Sequence, residues 1–71
     1  MSRIAVIGEQ TRVQGFALAG ADVCEATDPD AVRAAWTSLA VDVAVVILTP
    51  AAADALAATP AGDRLTVVMP P

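Results

Sequence analysis

The sequence contains no histidine, no tyrosine and no lysine, one cysteine, and two aromatic residues, Phe16 and Trp36. Each absence removes a chemistry. Ser2 and Ser38 have no histidine or lysine to activate them as nucleophiles. A phosphate loop of the G-x-x-x-x-G-K-[ST] type cannot occur without lysine. A lone Cys24 cannot form an internal disulfide, and without histidine no metal site is expected. Cys24 itself reads as a small buried hydrophobe. Long apolar runs are missing too. Met1-Ser2-Arg3 is followed only by Ile4 to Ile7, too short for a signal peptide or a membrane span, so a cytoplasmic chain is expected. Four arginines face eight acids, for a net charge of −4. That balance argues against nucleic acid, which requires clustered cations. The acids are scattered and read as solvated surface charge.

What remains is a chain of 71 residues that is 56% apolar. It is read as a single domain, 1–71. Much of the apolar content is alanine, which buries little area. A domain of this size buries only about 60% of its unfolded surface. A thin core follows, and a domain that gains from a partner.

Ile4, Ala5, Val6 and Ile7 form a continuous apolar run, the pattern of a strand buried on both faces of a parallel sheet. Gly8 ends it. Thr11 and Gln14 have capping-box spacing, with Thr11 as the N-cap. Val13, Phe16 and Ala17 share one face of the helix that follows, and Gly20 stops it. Gly15 inside that helix costs about 1 kcal/mol against alanine. It marks either close helix–sheet packing or a flat spot where a partner approaches. Asp22 to Ala26 reads as a short strand near a sheet edge. Asp28 and Pro29 form an N-cap and N1 pair. Val32, Ala35, Trp36 and Leu39 then repeat at helical spacing. Trp36 is that helix's core anchor or, alternatively, a surface anchor for a partner. Val43 to Leu48 is the most hydrophobic run and the second central strand. Thr49-Pro50 opens a helix over Ala51 to Ala58, whose large apolar contact is Leu56. Pro60, Ala61 and Gly62 break it, and Leu65 to Met69 is a last strand.

The order βαβαβαβ predicts an α/β fold: a small parallel four-stranded sheet, order 2-1-3-4, with helices on both faces in a flavodoxin- or receiver-like three-layer arrangement. Ligands or partners meet such sheets at the carboxyl ends of the strands. Here those loops are Gly8 to Thr11, Thr27-Asp28, Thr49-Pro50 and Pro70-Pro71. No known site chemistry fits them. Gln10 and Val13 stand where a dinucleotide fingerprint requires glycine. A phospho-acceptor receiver would carry clustered acids after the first strand and an Asp after the third. Glu9 stands alone at the first position and Thr49 occupies the second. Asp28 and Asp30 sit at a helix start, where capping is their role. No catalytic residue and no cofactor is expected.

The stretch Ile7-Gly8-Glu9-Gln10-Thr11-Arg12-Val13-Gln14-Gly15-Phe16-Ala17-Leu18-Ala19-Gly20 resembles the amino-terminal pattern of the F subunit of the V-type and A-type rotary ATPases (ATP synthases): a strand ending in I-G, a polar turn, then T-V-x-G-F-x-L-A-G. Allowing for small shifts in the turn, Thr11, Gly15, Phe16, Leu18, Ala19 and Gly20 stand at that pattern's positions. The middle strand followed by Thr49, and the strand ending at Pro70, fit the same layout. The resemblance spans the chain, and its specific part is Ile4 to Gly20. It implies a non-catalytic central-stalk subunit that binds the coiled-coil rotor subunit and contacts the catalytic head. Such a subunit helps couple ATP hydrolysis or synthesis to proton or sodium transport. It would be cytoplasmic and peripheral, part of a membrane-bound complex. Gly8, Glu9, Thr11, Gly15 and Phe16 become the candidates for fold signature or partner interface. Two departures stand out. The family often has an acid after the threonine that ends the third strand, where this chain has Pro50 and three alanines. The family also continues into a helical tail beyond the position of Pro71. The alternative is a receiver-like or nucleotide- or phosphate-binding module using the Gly8 to Thr11 loop. Weak self-association is expected through an apolar edge at Leu65 to Met69.

Overall fold

The computed structural model describes residues 3–15 and 20–70. Phe16, and the expected helix beyond Gly15, lie outside them. The elements follow one another as β1 (Arg3–Gly8), α1 (Gln10–Val13), β2 (Asp22–Glu25), α2 (Pro29–Ser38), β3 (Val43–Leu48), α3 (Pro50–Ala55) and β4 (Leu65–Val68). The sheet order is β2-β1-β3-β4, and every pairing is parallel. The two fully apolar runs occupy the centre, as their composition demands.

Two helix starts follow their sequence grammar. Asp28 caps α2 by accepting from the Ala31 backbone N–H at 2.8 Å, with Pro29 in the first turn. Thr49 caps α3 by accepting from the Ala52 N–H at 3.3 Å, with Pro50 next. The third start differs from expectation. Helix α1 begins at Gln10, with Glu9 as its N-cap and no side-chain capping bond, so Thr11 lies within the helix rather than ahead of it. The Glu9 carbonyl already accepts from the Arg12 and Val13 N–H groups, which fixes the first turn two residues early. Gly20 adopts φ of +86°, the left-handed geometry anticipated for it.

The pairing register sorts side chains by face. Ile4 pairs with Val45 and Val45 with Leu65; Val6 pairs with Ile47 and Ile47 with Val67. Paired residues of parallel strands point to the same side. Ala5, Ile7, Val46 and Leu48 therefore share the opposite face, where they form the main core with Val32, Ala52 and Leu56. Helices α2 and α3 pack together over that face, while α1 packs on β1 and β2 on the other. Val6 of β1 and Val13 of α1 are fully buried.

Among the described residues, the second face is open beyond α1. No described element covers its β3–β4 half, where Leu65 is 62% and Val67 45% exposed. Ile4 at 48% extends the same surface along β1. The expectation of strands buried on both faces thus holds for Ala5 to Ile7 and fails for Ile4, Val45 and Ile47. Among the described residues, α1 is the one helix on this side, and it packs on β1 and β2. Cys24 and Trp36 are likewise half-buried at the margin of the core rather than inside it. Among the described residues, no helix is long and apolar enough to cross a membrane.

Candidate functional site

The carboxyl ends of the four strands form one rim, held together by main-chain bonds. The Ile7 carbonyl accepts from Thr49 N–H at 3.2 Å, Gly8 carbonyl from Ala26 N–H at 2.9 Å, and Leu48 carbonyl from Met69 N–H at 2.8 Å. The loops after β1, β2, β3 and β4 are thereby fixed to one another.

The strand order reverses between β1 and β3, and in open parallel sheets that switch point is the usual ligand crevice. Here Thr49 fills it. Its side chain is completely buried. The hydroxyl donates to Glu9 Oε1 at 2.8 Å and accepts from the Ala52 N–H at 3.3 Å. One buried oxygen thus joins the β1–α1 loop to the start of α3. Gly8 makes this possible. A Cβ at Gly8 would stand 2.2 Å from Thr49 Cγ2 and 2.6 Å from its Oγ1. Van der Waals contact begins about 1 Å beyond such separations.

Two of the five sequence candidates, Gly8 and Glu9, therefore meet at Thr49. Thr11 is nearby on the rim, exposed on α1. Gly15 is exposed, and a Cβ there would have nothing within 4 Å, so close helix–sheet packing is not what calls for glycine at that position. Phe16 lies outside the described residues. Thr49 belongs with Gly8 and Glu9. Its signal was present in the sequence, since two strands expected to be neighbours end in glycine and in threonine.

A second rim contact was not legible. Arg12 donates from Nη2 to the Pro70 carbonyl at 2.6 Å, so the β1–α1 side reaches over to the end of β4. At the opposite ends of the strands, Arg3 pairs with both Asp22 and Asp42. Those groups are about half-exposed, and such pairs contribute about 1 kcal/mol or less.

Away from the rim, a pocket of about 280 Å³ lies between α3 and β4, lined by Trp36, Leu48, Leu56, Thr66 and Val68 among others. Arg64 lies over Trp36, one of the lining residues. Its guanidinium carbon sits 5.3 Å from the Trp36 ring centroid, while Nε donates to Val43 carbonyl at 3.1 Å and Nη2 to Ala40 carbonyl at 3.0 Å. The arrangement anchors the α2–β3 turn. The Cys24 thiol is pushed above its ordinary range by burial first and by the nearby Asp22 charge second.

A model of the family described as ATP synthase (F/14-kDa) subunit matches residues 4–68. Among solved structures, the chain is similar to the F subunit of the V-type ATP synthase of Archaeoglobus fulgidus. The identity is 26% and the TM-score 0.61, over 93% of this chain and 96% of that one. No curated protein matches.

Proposed function

Because the chain belongs to the family of the ATP synthase (F/14-kDa) subunit, we propose that it works as a non-catalytic component of the central stalk of a V/A-type rotary ATPase. In this reading it binds the coiled-coil rotor subunit, contacts the catalytic head, and helps couple ATP turnover to proton or sodium movement. It is peripheral to the membrane.

The observation that carries the reading is the family match along nearly the whole chain, joined by a parallel sheet in the order 2-1-3-4. The geometry of the rim is in keeping with it. Thr49 fills the switch point, and the Gly8–Glu9–Thr49 contact makes the rim a stiff surface suited to being gripped. The receiver-like or phosphate-binding alternative draws no support from this geometry.

The test is co-elution with the cognate coiled-coil stalk protein on gel filtration. A stable complex, together with no ATP hydrolysis by the chain alone, is the expected result. Repeated failure to form a complex would remove the stalk assignment.

A further inference from the structure

We propose that β4 is the docking edge for a second copy of this chain, the two β4 strands running antiparallel about a two-fold axis. This pairing is independent of the stalk reading.

The first support is the free edge itself. Met69 N–H bonds inward to Leu48 carbonyl. Alternation along a strand then turns the main-chain groups of Leu65 and Val67 toward β3, and those of Thr66 and Val68 outward. All four β4 residues are exposed, and none carries a charge. Neither the lysines nor the inward-pointing charges that commonly block an edge are present.

The second support is self-complementarity. A two-fold axis normal to the sheet keeps the open faces of both copies on the same side. With Thr66 opposite Thr66 on that axis, Leu65 stands opposite Val67 of the second copy. Both belong to the open apolar face, and they would pack across the junction.

The third support is charge. In this register Asp63 of one copy lies opposite Met69 of the other, beside Pro70, whose carbonyl holds the Arg12 guanidinium. Among the described residues, neither Asp63 nor Arg12 takes part in a salt bridge. The two-fold brings them together twice.

A four-residue edge with its flanks covers less than the roughly 800 Å² per partner of a standard stable interface. The association is accordingly weak, with a dissociation constant on the order of 10–100 µM.

Sedimentation velocity of the chain across a micromolar concentration series tests it. A monomer–dimer equilibrium is expected. Asp63→Arg should weaken the dimer about tenfold by setting like charges together, and Asp63→Arg combined with Arg12→Glu should restore it. Thr66→Pro removes an outward N–H while sparing the bonds to β3, and it should abolish the dimer with the circular dichroism spectrum unchanged. A chain that stays monomeric throughout would overturn the proposal, including the case in which it pairs only with a different protein. A dimer indifferent to Asp63→Arg and Thr66→Pro would overturn it equally, by placing the contact elsewhere.

Discussion

Thr49 stands in the volume that a β-carbon on Gly8 would need, its Cγ2 only 2.2 Å from that position. The two residues close adjacent central strands, and each restricts the other. Glycine leaves room for a buried threonine. The threonine hydroxyl serves both the Glu9 carboxylate and the first turn of α3.

Gly8→Ala should destabilise the domain by about 1–3 kcal/mol, the usual cost of overpacking a filled site. Thr49→Gly alone should also destabilise, through the void and the lost cap. The double variant should be less damaged than the sum of the two, since each change relieves the other's clash or cavity. Urea denaturation of the four proteins checks this. Strict additivity would mean that the contact carries no energy.

Thr49→Val keeps the shape and removes the hydroxyl. The Ala52 N–H loses its cap and Glu9 its donor, for an expected loss of about 1–3 kcal/mol. Amide exchange at Ala52 should accelerate more than elsewhere in α3. Unchanged protection at Ala52 would mean that the cap is not used in solution.

Arg64→Lys retains the charge and loses the planar fork. The bonds to the Val43 and Ala40 carbonyls and the stacking on Trp36 cannot all be kept by an ammonium group. A loss of about 1–2 kcal/mol is expected. Trp36 is the sole tryptophan, so its fluorescence reports the change directly. Its emission should shift to the red as the ring becomes more hydrated.

Gly15→Ala should leave stability unchanged or raise it by about 0.4–1 kcal/mol, because the added methyl meets nothing and the unfolded chain loses freedom. If the same variant weakens co-elution with the stalk partner, Gly15 belongs to the interface. If binding is untouched, the flat-spot reading of this glycine fails.

The Cys24 thiol is pushed above its ordinary range by burial first and by the Asp22 charge second. A raised value favours the neutral thiol in the folded state. The stability this contributes is fully present below the unfolded value and is lost as pH rises through the folded one. Relative to Cys24→Ser, the protein should therefore lose stability as the pH rises past the ordinary range of a free thiol. Alkylation by iodoacetamide should follow a midpoint above that of a free thiol, and Asp22→Asn should lower the midpoint without restoring it fully. A midpoint at or below the free-thiol value would contradict the burial of Cys24.

The strand–helix alternation, the central placement of Ile4–Ile7 and Val43–Leu48, and the caps at Asp28 and Thr49 are properties of the sequence alone. They depend on period, composition and short-range hydrogen bonds, which act between residues a few positions apart. Tertiary structure decided the rest. Glu9 rather than Thr11 is the N-cap of α1, because a helix start is set by where the chain leaves the strand it follows. Gly8, Glu9 and Thr49 become one unit because parallel pairing brings together residues forty positions apart. The open half of the second face could not be read from apolar runs, since a strand's composition records how greasy it is and not how many helices arrive to cover it.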